Sequence, residues 1–206
     1  MPRPNQSESR RRKLIPLVSR TFAELGYRRT TTAELAKRCG VQENILYRLW
    51  PDKKAMFIAS IGYVFELSGE VWEGLVGGAG VDATSAERLL NYEARHHGEF
   101  GLYRIIFAGL SEADDPEISD ALRRVYKRFL GFIQRQIEAQ SGSAPGGDGL
   151  DPELAAWAFI GLGTVANIGR ELKILGGDSR ARFFSEVGRR LLRAAAPVKR
   201  RTDRRP

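Results

Sequence analysis

The chain holds a single cysteine, Cys39, among 206 residues, so no internal disulfide can form. That usage fits a reducing compartment, and a cytoplasmic location is expected. Histidine is almost as scarce, with only His96 and His97. No Gly-x-Ser-x-Gly elbow, phosphate-binding glycine loop or cysteine cluster is present. No stretch approaches ~18 uninterrupted apolar residues, so no membrane span is expected. The first residues, MPRPNQSESRRRK, run into an amphipathic pattern rather than an apolar core, which argues against a signal peptide. Alternating strand patterns are absent as well.

What is present is positive charge, unevenly placed. The net charge is +8. Residues 1–13 carry five Lys/Arg and one Glu, and residues 14–60 carry eight basic and four acidic side chains. Residues 61–196 reverse the balance, with fifteen basic and nineteen acidic, and the tail 197–206 returns to five basic and one acidic. A positive head on a mildly acidic body points to a polyanion partner at one end. The C-terminal run reads equally well as a solvated tail.

Helical periodicity dominates. Leu14, Val18, Phe22 and Leu25 form one apolar stripe over a helix of about 10–25, which Gly26 closes. Thr31 and Glu34 fit a capping box at the start of a second helix, which ends near Cys39 before Gly40. A third short helix covers about 42–49. Asp52 suits the N-cap of a fourth, about 53–77. Further helices are expected over about 83–97, 99–112, 116–140, 152–175 and 179–195, with breaks at GGAG, DDPE, SGSAPGGDG and GGD. The expected fold class is all-α with about nine helices. It divides into a basic arm (1–13), a three-helix head (14–60), a helical regulatory and dimerisation body (61–196) and a basic tail (197–206).

Two short helices joined by a tight glycine turn, with a scaffold helix before them, match a helix-turn-helix unit, which lays its second helix in the DNA major groove. Gln42, Glu43 and Asn44 crowd the first turn of that helix. Gln and Asn can bond two edges of adenine, and Glu can accept from cytosine N4. Taken alone, these three side chains read as cap and surface residues. Ile45 either touches a thymine methyl or packs inward. Cys39 is expected in the head's small core.

From Leu14 to Ile61 the chain resembles the DNA-binding domain of the TetR family of bacterial transcriptional regulators. The residues that carry the likeness are Phe22, Gly26, Tyr27, Thr31, Thr32, Leu35, Ala36, Gly40, Val41, Leu46, Tyr47, Trp50, Lys53 and Met56. The resemblance implies a DNA-contacting set of Thr32, Ala33, Gln42, Glu43, Asn44, Ile45, Tyr47, Arg48 and Lys53, with Tyr47, Lys53 and Thr32 on phosphates and Arg48 on phosphate or guanine. The Arg10–Lys13 run would follow the backbone or enter a minor groove. Gln42 stands where the family often has Ser or Thr, Leu49 where it often has His, and Ala33 where a second base reader often stands. Sequence discrimination therefore falls on the third helix.

The resemblance also implies a homodimer on a palindromic double-stranded DNA operator, and a repressor released by a small apolar or amphipathic ligand. Ala158, Val165, Ile168 and Leu172 on one helix, and Phe184, Val187 and Leu191 on the next, would form the dimer bundle, unless some pack within the monomer. Phe65, Trp72, Tyr92, Tyr103, Phe107, Tyr126, Trp157 and Asn167 are the candidates for lining a ligand pocket, although aromatics at helical spacing also make ordinary core. No membrane partner and no cofactor are expected. An enzymatic reading rests on Glu93-x-x-His96, with His97 and Glu99 nearby. A di-metal bundle needs two such motifs, and there is one. A third reading, non-specific architectural DNA binding, fits the basic termini but not the polar turn of the third helix.

Overall fold

The computed structural model describes residues 6–77, 84–141 and 150–195, and among them every regular element is an α-helix. In chain order these are α1 (Gln6–Arg29), α2 (Thr32–Cys39), α3 (Glu43–Leu49), α4 (Lys53–Gly77), α5 (Ser85–His96), α6 (Tyr103–Leu110), α7 (Pro116–Ser141), α8 (Pro152–Glu171) and α9 (Gly177–Ala195). The expected tail 197–206, most of the SGSAPGGDG stretch and the first five residues of the arm lie outside the described residues.

The helix starts and stops follow local chemistry. Asp52 accepts from the Ala55 N–H at 2.7 Å, and Asp151 from the N–H groups of Glu153 and Leu154. Asp115 caps α7 through Glu117 and Ile118, with Pro116 in its first turn. Thr84 and Glu87 form a reciprocal capping box on α5.

Three boundaries differ from the sequence expectation. The basic arm from Gln6 onward is not a free arm: α1 begins there, because Gln, Glu, Arg and Lys are good helix formers even without an apolar stripe. Helix α6 starts only at Tyr103, since Gly98 and Gly101 adopt positive φ ahead of it. Helix α8 stops at Glu171, just before Lys173, which has φ 55°. At the start of α2 the capping box is only half made. Thr31 accepts from Glu34 N–H at 3.2 Å, while the Glu34 carboxylate turns to Arg38 at 2.6 Å instead of reaching back.

The chain separates into two compact units. One comprises Met1–Val71 and Gly98–Lys127, and the other Trp72–His97 and Arg128–Pro206. Helices α4 and α7 contribute to both. In the first unit α1 packs on α2, α3 and α6. Val18, Phe22, Leu35, Leu46, Phe57 and Ile61 are fully buried, each worth roughly 1.5–3 kcal/mol when taken from water. The Phe22 and Phe57 rings meet edge to face at 5.0 Å, and Tyr27 lies 4.7 Å from Phe57. Cys39 is buried here, and burial pushes its thiol above the ordinary value, which suits a packing residue and not a reactive one. In the second unit α5 and α8 pack on α9 around Leu90, Ile137, Leu162, Ala166, Phe184 and Leu192.

One glycine fixes the geometry of the head. Gly26 interrupts α1 with φ 75° and ψ 167°, a region that is essentially closed to side-chain-bearing residues. The kink lets the chain turn so that the Thr30 hydroxyl donates to Gly26 O at 2.6 Å. A Cβ there would meet nothing within 4 Å, so any penalty belongs to the backbone alone. Gly26→Ala is therefore expected to lose about 1–3 kcal/mol of stability. Chemical denaturation measures this, and an unchanged midpoint would show that the kink is relaxed rather than enforced.

Candidate nucleic-acid interface

Helix α3 has seven residues, too few to be stable alone, so its orientation must come from what it packs against. Leu46, Leu49 and Trp50 are buried and Ile45 is partly buried. The preceding turn is set by Gly40 in the left-handed region (φ 64°), where the Val41 N–H reaches Ala36 O at 3.0 Å. Gln42 occupies the N-cap with no side-chain capping bond, so its amide is not consumed by the helix end. The start of the helix relies instead on the backbone bond from Ile45 N–H to Gln42 O, at 2.9 Å.

The opposite face of α3 carries Gln42, Glu43, Asn44, Tyr47 and Arg48, all exposed. The expected base-reading trio is thus exposed at the start of the helix. Ala33 is exposed and Thr32 partly buried at the start of α2. The Tyr47 hydroxyl lies 3.2 Å from Thr32 Oγ1, linking two residues expected on phosphates. Lys53 is placed differently from a free cation. Its ammonium donates to Tyr27 O at 3.2 Å and sits 4.5 Å from the centre of the Tyr27 ring.

Several supports were not legible in the sequence. Arg11 Nε donates to Leu49 O at 2.6 Å, capping the last turn of α3 across 38 residues of chain. Arg38 pairs with Glu34 and with Glu24, joining α2 to α1. The hydrogen bond from Arg38, followed by its charge, holds the Glu34 carboxyl below its ordinary value against the opposing effect of burial. Arg28 bonds Glu112 at 2.7 Å, and Lys54 pairs with Asp115 and Glu117. No periodicity signals partners so far apart in sequence.

The other candidates fall into both units. Phe65, Tyr103, Phe107 and Tyr126 belong to the first, where Tyr103 and Phe107 stack edge to face at 5.8 Å and burial pushes the Tyr126 phenol up. Trp72, Tyr92, Trp157 and Asn167 belong to the second. Trp72 packs on Phe129 and Phe132, and Tyr92 on His96. Trp157 is 48% exposed, and Asn167 is buried. Among the expected dimer residues, Val165, Ile168 and Leu172 are exposed, while Ala158, Val187 and Leu191 are partly buried. Phe184 lies in the core of its own unit, 5.0 Å from the His97 ring. The Glu93–His96 pair does not form. Glu93 bonds His97, one residue further along, at 2.6 Å. Among the described residues no group of three or more His, Cys, Asp or Glu is placed to hold a metal.

Residues 19–60, which span the kink of α1, the whole of α2 and α3 and the start of α4, match the family of bacterial regulatory proteins called tetR. A TetR-family regulator from Cytophaga hutchinsonii has the same fold, with a TM-score of 0.68 at 21% identity over 96% of this chain and 99% of that one. Residues 19–60 thus match the DNA-binding domain of the tetR family, and the chain as a whole shares the fold of TetR-family regulators. The described residues form a helix-turn-helix head and a helical body. A transcriptional regulator from Saccharomonospora viridis, solved in complex with choline, shares the fold at a TM-score of 0.68 and 16% identity, over 87% of this chain and 95% of that one. The nucleoid occlusion factor SlmA of Haemophilus influenzae is 44% identical over 57 residues. That match covers 28% of this chain and 26% of SlmA, so the chain spans about a quarter of that curated relative.

The two faces of α3 should respond differently to truncation. Leu46→Ala is expected to destabilise the head by about 2–5 kcal/mol, while Asn44→Ala changes stability by less than about 0.5 kcal/mol. Equal losses in urea titrations would contradict the assignment of one face to scaffold and the other to solvent.

Proposed function

We propose that this protein is a cytoplasmic repressor of the TetR family that binds a palindromic operator as a homodimer and leaves it when a small molecule binds the body. The observation that carries the DNA-reading part is the exposed face of α3, where Gln42, Glu43 and Asn44 stand clear of the buried Leu46, Leu49 and Trp50. In this reading the trio reads base edges in the major groove, and Ala33 adds an apolar contact. Ile45 is half withdrawn and contributes at most a methyl contact. Thr32, Tyr47 and Arg48 hold the backbone, and Lys53 joins them by exchanging its bond to Tyr27 O for a phosphate.

The dimer part is supported by α8. Leu154, Trp157, Val165, Ile168 and Leu172 lie 41–64% exposed along that helix. Large apolar side chains repeated on one surface favour burial against a partner. A second copy is the occupant that a palindromic site requires, since an isologous contact fixes the spacing of two heads. Release follows if the ligand binds one arrangement of α4 more tightly than the other, because α4 begins at Lys53 beside the head and ends at Gly77 in the second unit.

Genomic fragments retained by the purified protein, followed by footprinting, supply the operator for the decisive comparison. Gln42→Ala, Glu43→Ala and Asn44→Ala should change which bases are preferred. Tyr47→Phe and Lys53→Ala should weaken binding to all duplexes by a similar factor. The opposite pattern would overturn the assignment. For the dimer, Val165→Arg should convert dimer to monomer mass in light scattering and lower operator affinity. A variant that stays dimeric would remove α8 from the interface.

A further inference from the structure

The second unit contains a cavity of about 310 Å³ walled by α5, α8 and the start of α9. Its size is at the lower end for small-molecule sites. Three guanidinium groups line it, those of Arg95, Arg170 and Arg180, against one carboxylate, Asp178. Apart from His97, the remaining wall is apolar and mostly small: Phe184, with Ala94, Ala166, Gly177 and Ala181. A cationic wall facing an aromatic one suits an anion that carries a compact apolar body.

The surroundings hold two of these cations in place: Arg180 donates to Leu175 O at 2.7 Å, and Arg170 is held through His97. His97, which also lines the cavity, is pinned through both ring nitrogens. Its Nδ1 lies 2.6 Å from Glu93 Oε2, and Glu93 Oε1 accepts from Trp72 Nε1 at 2.7 Å. Its Nε2 lies 3.1 Å from Gly163 O and 3.2 Å from Asn167 Nδ2. The ring reaches α8 only because residue 163 is glycine, since a Cβ there would stand 2.8 Å from two ring atoms. The His97 carbonyl in turn accepts from Arg170 Nη2 at 2.5 Å. Arg170 is thus anchored through one nitrogen, while its Nε is shut from solvent and has no hydrogen-bond partner. A guanidinium anchored in this way at the cavity wall is preorganised to meet a carboxylate's charge.

We infer that this cavity binds a small organic carboxylate, with the charge held by Arg170 together with Arg95 and Arg180 and the apolar body against Phe184 and Ala181. The inference deepens the ligand-responsive reading above and rests on it only for the consequence on DNA. Glu93, His97 and Asn167 act as positioning residues for Arg170. This also gives Glu93 and His97 a task other than metal binding.

The test is calorimetric titration of the full chain with benzoate, with its neutral isostere benzamide, and with inorganic phosphate. Benzoate should bind at least about tenfold more tightly than either of the others, the first comparison isolating the charge and the second the apolar body. Arg170→Gln should weaken benzoate by about tenfold or more. Because Arg170 also supports the fold, two further variants carry the decision. Arg95→Gln alters an exposed residue and should weaken benzoate, and Ala181→Leu fills the cavity without removing charge and should abolish binding. Benzamide or phosphate binding as tightly as benzoate, no saturable benzoate binding, or unchanged binding in Ala181→Leu would each overturn the site. Operator affinity in saturating benzoate separates the two proposals. Benzoate that binds without lowering that affinity contradicts ligand release but leaves the site standing.

Discussion

The seating of α3 is the constraint on which the proposed DNA recognition depends. Seven residues cannot hold a helix in water, so the element exists only because Leu46, Leu49 and Trp50 are buried under it. That burial does more than stabilise. It fixes the rotation of the helix about its axis, and so decides which side chains face outward. Once the apolar side is committed, Gln42, Glu43, Asn44, Tyr47 and Arg48 have only solvent to face. Arg11 closes the far end of the helix through Leu49 O, and Gly40 sets its entry. The backbone of the proposed reading face is therefore set before DNA binds.

Around that helix the first unit is tied by charge as well as by apolar packing. Arg38 joins α2 to α1, and Arg28 and Lys54 reach Glu112, Asp115 and Glu117 near the start of α7. Burial alone would push the Asp115 carboxyl up, yet its pKa is lowered, because backbone N–H groups and Lys54 outweigh that effect. A carboxylate depressed in this way adds stability above the ordinary Asp range and loses it as pH falls through the lower folded value. The pairs are partly exposed, so each contributes little on its own, and apolar burial still carries the unit.

Much of this was readable from short-range chemistry. The caps at Asp52 and Asp151, the turn at Gly40 and the inward Leu46 all follow from residues within one or two turns of each other. The division of α3 was legible for the same reason, because a helix period of 3.6 places Leu46 and Leu49 on one side and Asn44, Tyr47 and Arg48 on the other. What could not be read depends on distant partners. Nothing in the sequence links Arg11 to Leu49 or His97 to Gly163. Periodicity showed that α8 and α9 each have an apolar stripe but not what covers it. Phe184 turned out to lie in the core of its own unit, while Val165 and Leu172 are exposed. The helical start at Gln6 was missed because its residues favour helix by propensity without any apolar stripe. The polar cluster around His97 was hidden by a nearby decoy, the i, i+3 spacing of Glu93 and His96.

The most direct test of the central claim is a residue-resolved map of amide shifts on adding the selected operator duplex to the isotope-labelled protein. The account predicts the largest amide changes over Gln42–Arg48 and at Thr32–Ala33, and little on the exposed stripe of α8. Changes concentrated on α8 or α9, with α3 unmoved, would contradict it.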